Sequence, residues 1–200
     1  MGDNVECSLL IELPYERVSL RRYANGPCAS CKHGYHSAMT FVADVEADCG
    51  KPTPSVSPAY YRNDPRWPTA CACGRPFEQD DNWQVFQERV YTRGGSGERM
   101  TLSDVRPGDM WNAWWYPWKG PDGLSLVVVL PNGHHWCIDS RAANCTLPDD
   151  DVHRCWVRTG SPPKVTVGKN APGQPTCSAG AGSIGVPGWH GFLTDGRLHP

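Results

Sequence analysis

The chain has 200 residues and a formal net charge of −2, with 39% hydrophobic and 20% charged residues. A chain of this length forms one large domain or two small lobes and buries roughly 70% of its unfolded surface, so a hydrophobic core is expected with or without a metal. The composition excludes an intrinsically disordered chain, and the lack of excess positive charge argues against a general nucleic-acid binder.

The first residues predict a protein without a secretory signal. The start, residues 1–6, is acidic where a signal peptide is basic, and no apolar stretch of signal length precedes Pro14. The longest apolar run, from Leu124 to Leu130, is interrupted by Ser125 and is too short to cross a bilayer. We therefore expect a cytosolic or intravirion protein without a transmembrane segment.

Two short cysteine motifs predict a zinc site in the N-terminal part of the chain. In a reducing compartment ten cysteines stay reduced, which favours metal ligands over disulfides. The motifs Cys28-Ala29-Ser30-Cys31 and Cys71-Ala72-Cys73-Gly74 can each supply two thiolates to a tetrahedral ion, and Gly74 suits the tight bend of the second. We predict one structural zinc ion with the ligands Cys28, Cys31, Cys71 and Cys73.

Alternatives to this ligand set stay open. The four thiols can instead be buried small residues or form two disulfides. His33, His36 and Cys49 lie nearby, and one of them can replace a ligand, for instance in a site of three cysteines and one histidine, although each is also an ordinary surface or core residue. Acidic residues outnumber Lys and Arg up to Glu98, which argues against a ribbon that binds nucleic acid.

The rest of the N-terminal lobe, residues 1–93, contains one predicted helix. Five prolines from residue 51 to residue 68 exclude a helix and predict a long surface loop. Ser37 to Ala47 fits a short helix or a strand equally well. Trp83, Phe86 and Val90 recur at helical spacing behind an acidic cap, which predicts a helix over about residues 81–92. The Gly-rich residues 94–98 are interpreted as a linker.

Short β-rich runs punctuated by turns fill the C-terminal lobe, residues 99–200. Asn132-Gly133 and Asp195-Gly196 are pairs that favour tight hairpins. We predict an α+β, mainly β protein in which a small zinc-ribbon-like lobe packs on an antiparallel β barrel or sandwich. The predicted strands are Met110–Trp118, Leu124–Leu130, His134–Asp139, His153–Arg158, Lys164–Val167 and Gly188–Leu193.

A second group of potential ligands lies in this β lobe. Alternation along a strand places His135 with Cys137, and His153 with Cys155, on shared faces. The group predicts a second zinc site, a Cys-His catalytic dyad or, as the plainer interpretation, buried thiols and locally bonded histidines. Its members are His135, Cys137, Cys145, His153, Cys155, Cys177 and His190.

Four tryptophans cluster in one stretch of the β lobe. Trp111, Trp114, Trp115 and Trp118 can line a ligand groove, but most large aromatic side chains of so small a lobe must fill its core. We therefore expect these side chains to be core residues.

Two segments carry a resemblance to a known group of proteins. Gly133 to Thr146, GHHWCIDSRAANCT, and Gly182 to Leu198, GSIGVPGWHGFLTDGRL, resemble uncharacterised proteins encoded by tailed phages of actinobacteria. The resemblance covers mostly the C-terminal lobe. It implies a phage origin and a location in the host bacterial cytoplasm, with the virion as the alternative, and it implies no activity.

These observations predict a zinc-stabilised phage accessory protein that binds a host or phage protein without catalysis. A site with four protein ligands and no open position is structural, so catalysis is not required. One alternative is a metal-dependent hydrolase or nuclease that activates a water molecule. Another is a minor structural component of the virion. The hydrolase alternative uses His134, His135, His153, His190 and Asp139.

Overall fold

The structure, a computed structural model, describes residues 4–31, 34–169 and 177–200. The chain divides into two compact units: a central unit, Glu12–Val90, and a terminal unit formed by Met1–Ile11 and Tyr91–Pro200. This division differs from the predicted lobes, because the N-terminal residues of the chain belong to the same unit as its C-terminal half.

The predicted mainly β fold is confirmed. Apart from the strands, the described residues contain two single 3-10 turns, Pro58–Tyr61 and Leu102–Asp104. The strands are β1 (Val5–Glu6), β2 (Ser8–Pro27), β3 (Tyr35–Glu46), β4 (Asn82–Arg93), β5 (Arg99–Met100), β6 (Asp109–Asn112), β7 (Leu126–Val129), β8 (His135–Cys137), β9 (Val157–Ser161), β10 (Lys164–Gly168), β11 (Ile184–Val186), β12 (Trp189–Thr194) and β13 (Arg197–His199). Their sheets are open and form no closed barrel. In the described part of the chain, no helix has the length and hydropathy needed to span a membrane.

The central unit is built on an antiparallel ribbon of β2 and β3. The pairing runs from Tyr15 opposite Glu46 to Pro27 opposite Tyr35 and contains two register shifts. A small core lies against the ribbon and includes residues of the Pro-rich segment, which is irregular apart from its single 3-10 turn. Its members are Val18, Leu20 and Tyr61, with Val42, Val45, Val56, Trp67 and Val85 packed against them.

The predicted helix over residues 81–92 is wrong, because these residues form β4. Trp83, Phe86 and Val90 do recur at helical spacing, but the segment is rich in aromatic and β-branched residues, which suit a strand. β4 lies between β2 and β5 in the sheet order, and these pairings satisfy its backbone. Tertiary pairing therefore overrides the helical pattern. The ambiguous segment from Ser37 is also a strand, β3.

One arginine, whose side chain is 10% exposed, organises the loop that follows β3. Arg89 forms ion pairs with Glu12 at 2.7 Å and Glu16 at 2.5 Å. It also donates hydrogen bonds to the carbonyl oxygen of Asp48 at 2.8 Å and to the Thr53 hydroxyl at 2.6 Å. The start of the Pro-rich segment is thus held by side-chain contacts rather than by regular secondary structure.

The terminal unit contains three groups of strands. Residues Ser8, Leu9 and Leu10 of β2 pair with β6 in parallel, which departs from the predicted antiparallel pattern. β6, β7 and β8 continue that sheet in antiparallel order, and β4 pairs with β5 near Tyr91. A four-stranded sheet has the order β1-β13-β12-β11, while β9 and β10 form a separate hairpin. The main core of the terminal unit contains residues from all three groups of strands, and among them the Met110 side chain is fully buried.

Both predicted hairpin turns are confirmed. Asn132-Gly133 joins β7 to β8, with the Leu130 N–H donating to the carbonyl oxygen of His134 at 2.8 Å. Asp195-Gly196 joins β12 to β13 with φ values of 46° and 72°, the left-handed geometry of a tight hairpin turn. Residues 94–98, interpreted from the sequence as a linker, form a turn between β4 and β5. The Arg93 N–H donates to the carbonyl oxygen of Glu98 at 2.8 Å across this turn.

Candidate metal centres

The first candidate centre is assembled by two turns of the central unit. After β2, the Cys28 N–H donates to the carbonyl oxygen of Gly34 at 2.8 Å, and the Gly34 N–H donates to Cys31 at 2.9 Å. In the second turn the Cys71 N–H donates to Arg75 at 2.8 Å, and Gly74 has a φ of 90° that a residue with a Cβ rarely adopts. Both turns present their sulfur atoms to one region.

The predicted thiols lie together around that region. The Sγ atoms of Cys28 and Cys71 are 3.8 Å apart, and those of Cys31 and Cys71 are 3.1 Å apart. The Cys73 Sγ lies 3.3 Å from Nδ1 of His36, the second residue of β3. The structure therefore brings five donor side chains together, one more than a tetrahedral ion uses.

One compact set of four donors contains His36. The ligand atoms of Cys28, His36, Cys71 and Cys73 all lie within 4.8 Å of one another. Cys31, which was predicted as a ligand, lies beside this set and contacts the carbonyl oxygen of Ser37 at 3.4 Å.

Cys49 and His33 are the other possible ligands near the two motifs. Cys49 lies elsewhere, with its Sγ 3.6 Å from the carbonyl oxygen of Glu12. His33 lies outside the described residues. The structure therefore places His36 in the cluster and Cys49 away from it.

The electrostatics of this centre favour a thiolate at Cys71. The backbone N–H of Cys73 and the side chain of Cys31 both donate hydrogen bonds to its sulfur and lower the pKa of the Cys71 thiol to about 5. Burial instead raises the pKa of Cys28. Since the thiolate is the form that binds a metal, Cys71 is ready for coordination at neutral pH, and a cation would favour ionisation of the others.

The second candidate centre lies in the terminal unit. The ligand atoms of Cys145, His153, Cys155 and Cys177 all lie within 4.8 Å of one another. His153 and Cys155 are 1% and 2% exposed, and Cys145 and Cys177 are half-buried. All three cysteines contact the main hydrophobic core of the unit. Two of the four donor side chains are thus screened from solvent, and all four ligand atoms lie close together.

Irregular segments, rather than paired strand faces, build this centre. Cys145 lies in a turn in which its N–H donates to Ala142 at 3.1 Å, and Cys177 begins a turn closed by the Gly180 N–H at 3.0 Å. The His153 N–H donates to the Asp150 side chain at 3.0 Å. His153 and Cys155 precede β9, so the expected strand alternation is not what brings them together.

Backbone N–H groups point at two of these sulfur atoms. The Ala142 N–H lies 3.2 Å from the Cys155 Sγ, and the Leu147 N–H lies 3.4 Å from the Cys145 Sγ. Burial opposes ionisation of Cys145, but the bonds from Leu147 and Cys155 outweigh it and lower the pKa of Cys145. Burial raises the pKa of Cys155 to about 11. These pKa shifts act in opposite directions within one cluster, and a bound cation would favour the thiolate form of each cysteine.

Three of the seven residues predicted for a second centre lie outside it. His135 packs edge-on against Trp111 with ring centroids 5.3 Å apart. Cys137 contacts another part of the core, and burial raises its pKa. His190 is exposed and packs edge-on against Phe192. These positions share a sequence neighbourhood with the ligands but not a location.

The residues of the hydrolase alternative are divided between three places. His153 belongs to the second centre, while Asp139 pairs with the buried Arg158 at 2.9 Å and accepts a hydrogen bond from the Leu126 N–H at 2.8 Å. The three others line one cleft of about 610 Å3. They are His134, His135 and His190. Among the described residues, groups of three or more possible ligands whose atoms lie within 4.8 Å of one another occur only in the two cysteine-containing clusters.

The tryptophans around residue 114 are mainly exposed, against the expectation of a core. Trp111 is buried, at 3% exposure, but Trp115 and Trp118 are 44% and 42% exposed. Their rings form a chain with Tyr116, with centroids 6.0 Å and 5.9 Å apart. These residues follow the end of β6, so strand alternation does not direct their side chains into the core. We call Trp114, Trp115, Tyr116 and Trp118 the aromatic patch.

No protein-family model, curated protein or solved structure matches this chain. The resemblance to phage proteins therefore stays a prediction from the two quoted segments. The two clusters can each hold a metal ion, and this follows from their donor atoms and geometry alone.

Proposed function

We propose that the protein is a zinc-stabilised accessory module that acts by binding a host or phage protein and not by catalysis. In this proposal each Cys/His cluster holds one structural zinc ion. The exposed aromatic patch of the terminal unit supplies the contact surface. The patch is the observation that carries the binding role, and the donor sets support the metal.

The distances in the first cluster support zinc. A tetrahedron with zinc–sulfur bonds of about 2.3 Å has sulfur–sulfur edges of about 3.8 Å. The Sγ atoms of Cys28 and Cys71 are 3.8 Å apart. A mixed sulfur–nitrogen edge is about 3.6 Å, against 3.3 Å between Cys73 and His36. Thiolate and imidazole donors in fours favour zinc over hard cations, which select oxygen.

The composition of both clusters supports a structural role for the metal. Each compact set contains three cysteines and one histidine, which fills a tetrahedral ion with protein ligands. The second set includes two side chains that are at most 2% exposed, His153 and Cys155. An ion enclosed in this way has no position for an activated water.

The aromatic patch supports protein binding. Trp, Tyr and Phe are enriched at protein interfaces, and tryptophan is among the residues that contribute most to binding free energy. Three neighbouring rings that are each about two-fifths exposed, Trp115, Tyr116 and Trp118, form a contiguous apolar surface. Such surfaces mark interaction sites in globular proteins.

Partner capture from phage-infected host cells tests the binding role. Tagged wild-type protein should retain a specific partner, and the double variant Trp115→Ala/Trp118→Ala should lose it at least tenfold without a change in metal content. Phe192→Ala is the matched control, since this aromatic side chain of the same unit is 37% exposed but lies outside the patch. Equal retention by wild type and double variant, or the absence of any specific partner, would contradict the proposal.

A second candidate function is a metal-dependent hydrolase or nuclease. The observation that favours it is the cleft lined by His134, His135 and His190. This candidate requires an ion other than the two enclosed by the cysteine clusters. Assays with nucleic-acid and peptide substrates in Mn2+ or Zn2+ test it, and turnover that His134→Gln and His190→Gln each abolish would establish it.

A further inference from the structure

A cleft in the central unit combines positive charge with tryptophan rings. It encloses about 500 Å3, a volume within the range of about 300–1,000 Å3 typical of small-molecule sites. Its lining contains no carboxylate, although acidic residues outnumber basic ones over the first half of the chain. The lining residues are Arg22, Arg62, Trp67, Gln79 and Trp83.

Arg22 is held in place by a backbone carbonyl and an aromatic ring. Its guanidinium donates a hydrogen bond to the carbonyl oxygen of Glu78 and lies 5.5 Å from the centroid of the Phe77 ring. Its Nε is buried and has no hydrogen-bond partner among the described residues. The nearby Asp81 carboxylate instead pairs with Arg75 at 2.9 Å. The donors of Arg22 are therefore oriented but not all used.

Arg62 and Gln79 add exposed polar groups to the same cleft. Arg62 follows the 3-10 turn Pro58–Tyr61 and, within the described part of the chain, forms no ion pair. Neither guanidinium group forms an ion pair within the described residues, which leaves both able to bind an anion, and the planar fork of arginine suits phosphate. The Gln79 amide offers both a donor and an acceptor.

The tryptophans supply a flat apolar wall. Trp67 and Trp83 pack edge-to-face with ring centroids 5.5 Å apart, and the Trp67 Nε1–H donates to the carbonyl oxygen of Tyr61 at 2.7 Å. Trp67 is thereby fixed, whereas Trp83 remains 44% exposed. An exposed indole face beside arginine is an arrangement on which planar bases stack.

We infer that this cleft binds a nucleotide, with the base against Trp83 and the phosphate at Arg22 and Arg62. The chemistry is shared by a free mononucleotide and by one unit of a single strand. The inference does not depend on the zinc sites or on the aromatic patch.

Calorimetric titration of the full-length, metal-loaded protein tests the inference with four probes: AMP, adenosine, inorganic phosphate and an eight-nucleotide single-stranded DNA. AMP should bind at least tenfold more tightly than adenosine or phosphate, because only AMP engages both halves of the cleft. DNA that binds at least tenfold more tightly than AMP identifies a strand as the natural source, and DNA that binds no more tightly identifies a free nucleotide.

Matched variants localise the binding. Arg62→Ala and Trp83→Leu should each weaken AMP binding about fivefold or more, since loss of a stacking face or of a phosphate contact has an effect of at least this size. Arg197→Ala and Phe192→Leu are controls in the terminal unit, and the Phe192 side chain is 37% exposed and lies outside the aromatic patch. No binding of AMP at millimolar concentration, equal binding of adenosine, or full affinity in both cleft variants would overturn the inference.

Discussion

The Sγ atoms of Cys28 and Cys71 lie 3.8 Å apart although the two residues are 43 positions apart in the chain. The intervening residues include β3 and the Pro-rich segment, which contributes few buried side chains of its own. A bond through a shared ion closes this long loop and removes much of the conformational freedom of the unfolded chain. The central unit therefore gains more from its metal than a unit with a large core would.

Removing a ligand of the first centre should unfold the central unit. Cys71→Ser is expected to lose one metal ion per chain and to lose most of the roughly 10 kcal/mol of apparent folding free energy that a structural zinc supplies. Hydrogen exchange followed by mass spectrometry should show loss of protection within residues 12–90. Cys49→Ser, an exposed cysteine outside the cluster, is the control. Unchanged protection in Cys71→Ser would contradict this role.

The fourth ligand of the first centre can be identified by paired substitutions. His36 belongs to the compact set of donors, whereas Cys31 lies beside it. His36→Gln should therefore lose the metal, while Cys31→Ser should retain it with lower affinity, because its contact with Cys71 is removed. Cobalt substitution checks the result, since the sulfur-to-cobalt charge-transfer absorbance rises with the number of thiolates. Metal loss in Cys31→Ser with retention in His36→Gln would instead establish a site of four cysteines.

The second centre should bind its metal independently of the first. His153→Gln removes a ligand that is 1% exposed, so it should lower the metal content by one ion per chain and destabilise the terminal unit. His190→Gln changes a histidine of the same unit that lies outside the cluster, and its metal content should equal that of the wild type. Equal metal content in His153→Gln and His190→Gln would show that the cluster packs as thiols only.

A buried ion-pair network should be important to the terminal unit. The side chain of Arg158 is 2% exposed and pairs with Asp139 at 2.9 Å and Asp122 at 2.7 Å. Arg158→Met leaves Asp139 buried without its partner, which should cost about 3–5 kcal/mol in the free energy of unfolding. Arg106→Met removes an exposed pair and should cost at most about 1 kcal/mol. Urea denaturation compares the two, and equal losses would refute the distinction.

The same network predicts a difference in acid stability. Hydrogen bonds from Arg158 lower the pKa of Asp122 below its ordinary value of 3.8. A carboxyl with a lowered pKa in the folded state stabilises the protein above its unfolded pKa and loses that contribution as the pH falls through the folded pKa. Wild type should therefore lose more stability than Arg158→Met as the pH falls below about 4. Identical pH profiles would contradict the contribution of this pair.

Local signals in the sequence were sufficient for the hairpins and for the first cysteine cluster. Asn132-Gly133 and Asp195-Gly196 specify their turns within two residues, so the pairing of β7 with β8 and of β12 with β13 follows from short-range geometry. The two cysteine turns are also local, and only their meeting is long-range. The mainly β class followed from the density of such turns.

The misassigned parts depend on distant partners. The apolar residues of β4 recur at helical spacing, and the segment is a strand because it pairs with β2 and β5 in the sheet. The second cluster contains four of the seven predicted residues. Strand alternation could not identify them, because loops bring Cys145 and Cys177 to His153. β2 also pairs with β6 in parallel, and a turn motif in the sequence cannot predict this pairing, because hairpin turns join antiparallel strands. His36 enters the first cluster through the pairing of β3 with β2, where it lies opposite Ala24.

The metal content of reduced, purified protein tests the central claim most directly. Plasma mass spectrometry of the wild type, Cys71→Ser and His153→Gln, all purified without added metal, gives the number of ions per chain and their identity. We predict close to two zinc ions in the wild type and close to one in each variant. A wild-type content near zero, or a content that neither substitution lowers, would contradict the account.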